Sequence, residues 1–305
     1  MNNAKIKIKS AIFALMLTAT ILALIVSSCS GAQSSIAKET KPSVSQAEQT
    51  SSHAEETSSQ DTEAQTATSQ DTGDAPTTTL KTEQTVEPEG TAVEIKNGEL
   101  TFKTEDGIEL NGNIFGQGSR WVILSHMYPT DQISWFDFAG DLAEMGYVAL
   151  TFDFRGYGKS GGKKDDIANI YKDVAAAISF VKSYDPAQIF LIGASMGGTA
   201  NIIAASMDDS ISGVVTLAAP DKMGDDLDAL SVVSKLGMPK LFISAIGDEY
   251  HAQAAKQLYE KAVDPKAMDI MENSKEHGTF IFEKEPENAE RLKTIIINFL
   301  DNQGQ

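Results

Sequence analysis

The sequence predicts an α/β fold with a mostly parallel central sheet and helices on both faces. Three observations predict it. Five short runs are almost wholly apolar: WVILS (Trp121 to Ser125), YVALTFD (Tyr147 to Asp153), QIFLIG (Gln188 to Gly193), GVVTLAA (Gly213 to Ala219) and KLFISAIG (Lys240 to Gly247). Runs of this length without polar alternation suit strands buried on both faces, as in a parallel sheet. Helical candidates separate them, at Gln132 to Met145, Asp165 to Ser183, Met196 to Met207 and Ala252 to Ala262, and such alternation places binding sites at the carboxyl ends of the strands. Finally, one run passes through Gly-x-Ser-x-Gly straight into a helix.

Taken in chain order, the fold begins late. Lys5, Lys7 and Lys9 precede an uncharged stretch, Ala11 to Val26, which together form a signal-peptide pattern over residues 1–28. An uncleaved membrane anchor is the alternative, although the run is slightly short for a span of about 20 residues. From Ser30 to about Glu89 the chain is rich in Ser, Thr, Gln, Glu and Ala and has no apolar periodicity. Such a segment buries too little apolar surface to offset its ordering entropy, so residues 29–92 are expected to be a disordered tether. His53 lies in it and is given no role, and the repeated SQDT is too short to be a structural repeat.

The domain is expected over residues 93–305. GELTFKT and IELNGNIF alternate apolar and polar residues around Asp106-Gly107, a hairpin signal. The five apolar strands and their helices follow, then AMDIME (Ala267 to Glu272) and a final helix near Asn288 to Leu300. Pro220 to Met238, between two core strands, fits one helix, so the cap is expected to be minimal and the site shallow and open.

Bulk chemistry narrows the function. A net charge of −18 argues against a nucleic-acid partner, which needs clustered Lys and Arg. A single cysteine, Cys29, excludes an intramolecular disulfide, so stability must come from the core.

Ser195 is the candidate nucleophile. The tight turn leaves room for neighbouring backbone only because Gly193 and Gly197 lack side chains, and it presents the serine oxygen outward. The following helix points its N-terminus at the site, which favours developing negative charge and makes the Met196 N–H an oxyanion donor. A phosphate-binding or purely structural turn is the competing use of such a sequence.

Gly193 to Gly198 resembles the nucleophile elbow of the α/β-hydrolases, and Asp153-Phe154-Arg155-Gly156-Tyr157-Gly158-Lys159-Ser160 resembles the D-x-R-G-x-G-x-S turn of the same superfamily, especially its esterase, dienelactone-hydrolase-like and serine-aminopeptidase-like branches. The likeness runs from about Val93 to Leu300 and implies the α/β-hydrolase fold. It also implies a Ser–acid–His order along the chain. His277, after the last strand, then stands as general base, with His251 and His126 as alternatives. Asp248 stands as the orienting acid, with Glu249 and Asp221 as alternatives. His126 stands where the family has a structural histidine, and His251 is expected on the surface. Asp153 is read as structural. By resemblance Tyr128 supplies the second oxyanion N–H, with Met127 as second choice. Met127 replaces a usual glycine, which puts the loop's conformation in question because glycine permits positive φ. Met127, Tyr128, Trp135, Met196 and Met223 are candidate pocket walls, though core packing suits each of them equally.

Val26-Ser27-Ser28-Cys29 resembles the lipobox of bacterial lipoproteins. It implies diacylglycerol on Cys29, palmitate-like acyl chains and attachment outside the cytoplasm; two or more chains hold a protein stably on a bilayer. The expected activity is ester cleavage through an acyl-enzyme on Ser195, with a small-molecule ester or acylated envelope substrate. A peptidase or thioesterase, or a non-catalytic surface binding protein, are the alternatives. No metal, cofactor or nucleic acid is called for, and a monomer is expected.

Overall fold

The structure, a computed structural model, describes residues 94–303. The expected signal peptide, Cys29 and its lipid, His53 and the tether all lie outside the described residues.

The strands are β1 (Gly98–Lys103), β2 (Glu109–Phe115), β3 (Arg120–Ser125), β4 (Val148–Phe152), β5 (Gln188–Ala194), β6 (Gly213–Leu217), β7 (Lys222–Met223), β8 (Leu227–Asp228), β9 (Lys240–Ala245) and β10 (Lys266–Met271). Eight of them form one sheet in the order β1-β2-β4-β3-β5-β6-β9-β10. The β1–β2 and β2–β4 pairings are antiparallel, and all the others in this sheet are parallel. The Asp106-Gly107 hairpin forms as its turn residues predict, with Phe102 opposite Leu110.

The helices are α1 (Phe136–Glu144), α2 (Ile170–Lys182), α3 (Met196–Ala205), α4 (Ala229–Val232), α5 (Glu249–Lys261), α6 (Phe280–Lys284) and α7 (Pro286–Asn302). Alternation along each strand sends side chains to two cores. Trp121, Ile123, Ile189 and Leu191 pack with Val174 and Val181 of α2, Ile202 of α3 and Leu258 of α5. On the opposite face Val122, Leu124, Phe190 and Ile192 pack with Phe138 and Leu142 of α1 and with Leu292, Ile296 and Leu300 of α7. Period-2 strands between period-3.6 helices produce this two-sided burial, which fixes every strand's register and so the positions of the loops at its end.

Three expected elements differ. The helix expected from Gln132 opens with a 3-10 turn, Gln132–Trp135, capped by the Asp131 carboxylate accepting from the Ile133 N–H. The helix expected from Asp165 begins only at Ile170, after a 3-10 turn at Ile167–Asn169. The Asp166 carboxylate is drawn away to Arg155 (2.7 Å) and Asn169 (2.6 Å) and caps nothing. Pro220 to Met238 is not one helix. It holds the β7–β8 ribbon, the single turn α4 and a 3-10 turn at Val233–Lys235. Gly224, at φ +65°, makes the ribbon's bend, and Asp228 caps α4 by accepting from the Ser231 N–H.

The turn after β4 is held by a buried guanidinium. Arg155 Nε and Nη2 reach Asp173 Oδ1 at 2.9 and 2.7 Å, and its other donors reach Asp106 and Asp166. Both Arg155 and Asp173 are inaccessible to solvent, and burial pushes the Asp173 carboxyl up despite Arg155. Removing one member of a buried pair strands the other, so Arg155→Ala is expected to lower stability by about 3–5 kcal/mol, read from denaturant midpoints. Asp106 titrates in the opposite sense. Hydrogen bonds from Arg155 hold its carboxyl at about 2, against an ordinary 3.8. A depressed carboxyl contributes stability that is present above its ordinary pKa and lost as pH falls through the depressed one. The midpoint difference between wild type and Asp106→Asn should therefore be constant above about pH 5 and shrink steadily below about pH 4.

Candidate active site

Ser195 sits between β5 and α3 with φ +48° and ψ −120°. A serine resists this conformation, so the surroundings must impose it. Its N–H donates to the Leu217 carbonyl at 2.8 Å, tying the bend to β6. A Cβ on Gly197 would fall on the Ser125 carbonyl oxygen and lie 2.6 Å from that of His126, so α3 abuts the end of β3 backbone to backbone. A Cβ on Gly193 would lie 2.6 Å from Gly197's oxygen. Buried Asn201 clamps the bend from behind. Its amide nitrogen donates to Ser125 Oγ (2.8 Å) and the Gly197 carbonyl (3.2 Å), and its oxygen accepts from the Gly193 N–H (3.2 Å).

Asp248 and His277, the acid and base that the sequence predicts, arrive on two adjoining loops. β9 ends at Ala245, and the next residues bond to the loop after β10: Ile246 N–H to the Met271 carbonyl (3.1 Å) and Gly247 N–H to that of Ser274 (3.0 Å). Asp248 is the N-cap residue of α5, but its carboxylate does not cap the helix. One oxygen lies 2.6 Å from His277 Nδ1, the other 2.7 Å from His251 Nδ1. Burial opposes ionisation of Asp248, but hydrogen bonds from His251 and His277 outweigh it and hold the carboxyl well below the usual range. Asp248 is thus an ionised acceptor at neutral pH. An Nδ1–H on His277 leaves Nε2 with a free lone pair, the tautomer a general base needs.

The loop bearing His277 also reaches the end of β5, beside Ser195. Gly278, at φ +54°, packs beside Ala194, where an added Cβ would be 3.3 Å from the alanine's Cβ and 2.6 Å from Met127 Sδ. The structure thus brings His277 and Asp248 into contact and sets the loop bearing His277 against the residue preceding Ser195. Of the alternative acids, Glu249 is exposed and Asp221 contacts neither histidine. Of the alternative bases, His126 is fully buried elsewhere.

His126 follows β3. Its Nδ1 lies 3.0 Å from the Met127 carbonyl and its Nε2 accepts from the Phe154 N–H at 3.1 Å. These partners fix a neutral ring with the proton on Nδ1, and burial pushes its pKa down. His126 therefore ties the loop after β3 to the turn after β4. Met127 is buried and has no positive φ, so the usual glycine is not required there. Tyr128 is exposed, and its N–H, like that of Met196, has no acceptor among the described residues. Of the candidate pocket walls, Met127, Trp135 and Met196 are core residues. Asp153 accepts from the Gln132 N–H, Gln132 Nε2 and the Lys159 N–H, all at 3.0 Å, which is a structural role.

Two features escape the sequence. His251 is not a free surface side chain but the second imidazole on Asp248, and its ring centroid lies 4.2 Å from that of His277. The i,i+3 spacing of Asp248 and His251 across a helix start is the signal that could have found it. The Asn201 clamp carries no motif.

The chain can now be set beside known proteins. An esterase from Pyrococcus furiosus superposes with a TM-score of 0.59 at 21% identity, covering 68% of this chain and 92% of that one. The α/β-hydrolase GrgF from Penicillium sp. sh18 gives 0.59 at 17%, covering 68% and 99%. The fold is the α/β-hydrolase fold. Within this α/β-hydrolase domain, residues 119–244 match the sequence model of the family described as serine aminopeptidase, S33. A monoglyceride lipase homolog of monkeypox virus is 25% identical over 152 residues, 47% of this chain and 55% of that protein. A polyketide transferase of Stachybotrys chlorohalonatus is 27% identical over 197 residues, 58% of this chain and 66% of that one. The chain thus spans between half and two thirds of the length of these two relatives.

The elbow's steric constraint is testable. Gly197→Ala forces a methyl onto the end of β3, and overpacking of this kind costs about 1–3 kcal/mol. Its denaturant midpoint should fall accordingly, whereas Gly140→Ala, where an added Cβ meets nothing within 4 Å, should not lose stability.

Proposed function

We propose that this chain is a serine hydrolase that cleaves carboxylic esters through an acyl-enzyme on Ser195. The observation that carries the reading is the Asp248–His277 contact of 2.6 Å on a loop that packs against Ala194. In this reading His277 Nε2 takes the Ser195 proton as Oγ attacks the ester carbonyl. Asp248 holds the Nδ1–H tautomer and stabilises the imidazolium. The oxyanion sits against the N–H groups of Met196 and Tyr128, which have no other acceptor among the described residues, at the positive end of α3. His277 then returns the proton to the leaving alcohol, and water releases the acyl group by the same route.

The names of the relatives and neighbours span lipase, esterase and transferase. The family description, serine aminopeptidase, favours amide cleavage as a second reading. Lipid on Cys29 would hold the domain at the outer face of a bacterial membrane, within reach of acylated envelope molecules, and the acidic composition offers nothing to nucleic acid.

Short p-nitrophenyl esters set against aminoacyl-nitroanilides separate the two readings, and turnover of the esters is expected. Ser195→Ala and His277→Ala should each lower kcat by roughly 1000-fold or more. Asp248→Asn should lower it by about 10⁴-fold through the wrong tautomer. A fluorophosphonate probe should label wild type and not Ser195→Ala. A wild-type chain that resists the probe and turns over neither substrate class would make this a binding protein.

A further inference from the structure

We propose that Asp248, His251 and His277 bind a zinc ion that switches the serine off; the switch, though not the binding, rests on reading Ser195 and His277 as nucleophile and base. Among the described residues this is the one group of three or more His, Cys, Asp or Glu side chains able to hold a metal, with one donor atom from each within 4.8 Å of the others. None of the three is fully buried: 15% of the Asp248 side chain, 21% of His251 and 25% of His277 remain accessible, so an ion can enter from solvent.

The donor set selects the metal. Two imidazoles and a carboxylate suit zinc, whereas magnesium and calcium take oxygen ligands. Zinc holds its ligands at about 2.0–2.2 Å, which sets donor atoms roughly 3.4 Å apart around a tetrahedron. The widest donor separation, at most 4.8 Å, must close by up to about 1.4 Å to reach that spacing. Three protein ligands leave the fourth position to water, as in open zinc sites.

His251 makes the site. A general base needs one carboxylate partner, yet Asp248 accepts from two rings, whose centroids lie 4.2 Å apart at 48°. Tyr250 makes a T-shaped contact with His251, the ring centroids 4.9 Å apart. Without metal the two Nδ1–H groups are shared with Asp248. Zinc bound at His277 Nδ1 moves that ring's proton to Nε2, which then faces the serine with no lone pair. Zinc bound at Nε2 consumes the lone pair directly. By either nitrogen the base is lost, and no net proton need leave a neutral ring.

Calorimetric titration of zinc chloride into the full chain tests the binding, with His251→Gln and Ser195→Ala beside it. Cys29 and His53 offer zinc other sites, so the informative quantity is the difference between variants. Wild type and Ser195→Ala should bind one equivalent that His251→Gln binds at least tenfold more weakly, since loss even of a ligand's outer partner costs about 10–100-fold. Micromolar zinc should abolish ester turnover in wild type, EDTA should restore it, and inhibition of His251→Gln should need at least tenfold more zinc. Equal binding by wild type and His251→Gln would overturn the site. A filled site with undiminished turnover would overturn the switch. A chain that binds this equivalent yet never turns over ester, with or without EDTA, sinks the hydrolase reading and the switch with it, and leaves the metal site standing.

Discussion

Everything at the candidate site depends on one backbone conformation, the left-handed bend at Ser195. An L-residue resists φ near +50°, and the cost, on the order of 1–3 kcal/mol, must be met by packing around it. Gly193 and Gly197 let β5, α3 and the end of β3 approach at backbone distance, and Asn201 stitches three of those segments together. The strain is therefore stored in a rigid sheet and released nowhere along the loop. A flexible turn of the same sequence would relax and lose the outward serine.

The sheet also explains why residues distant in sequence converge. β5, β6, β9 and β10 run parallel, so their carboxyl ends share one edge. The bend at 195, Asp248 and the loop bearing His277 all issue from that edge. The two loops carrying Asp248 and His277 are bonded to each other through Ile246 and Gly247, so the Asp248–His277 contact is set by main chain as much as by side chain. His126 does the same for the opposite wall, with both ring nitrogens occupied by backbone.

Much of this was legible in the sequence, for physical reasons. The apolar runs mark strands because only a strand covered on both faces tolerates them, and all five appear where expected. The nucleophile turn is readable because its sterics admit few residues. Segments governed by tertiary partners were not. Asp166 looks like a helix cap but is drawn to Arg155, so α2 starts late. Pro220 to Met238 has helical composition, yet Gly224 and the surrounding aspartates favour a ribbon. His251 is not legible as a partner of Asp248, because the sequence alone does not show that one carboxylate accepts from two rings.

Met127 and Gly278 occupy one shared space. The sulfur fills the volume that a side chain at 278 would need, and the glycine at 278 leaves room for the thioether. A side chain at 278 would need the thioether to move aside and would still carry the strain of a φ of +54°. Position 278 is thereby closed to larger residues twice over, once by the sulfur beside it and once by its own backbone conformation.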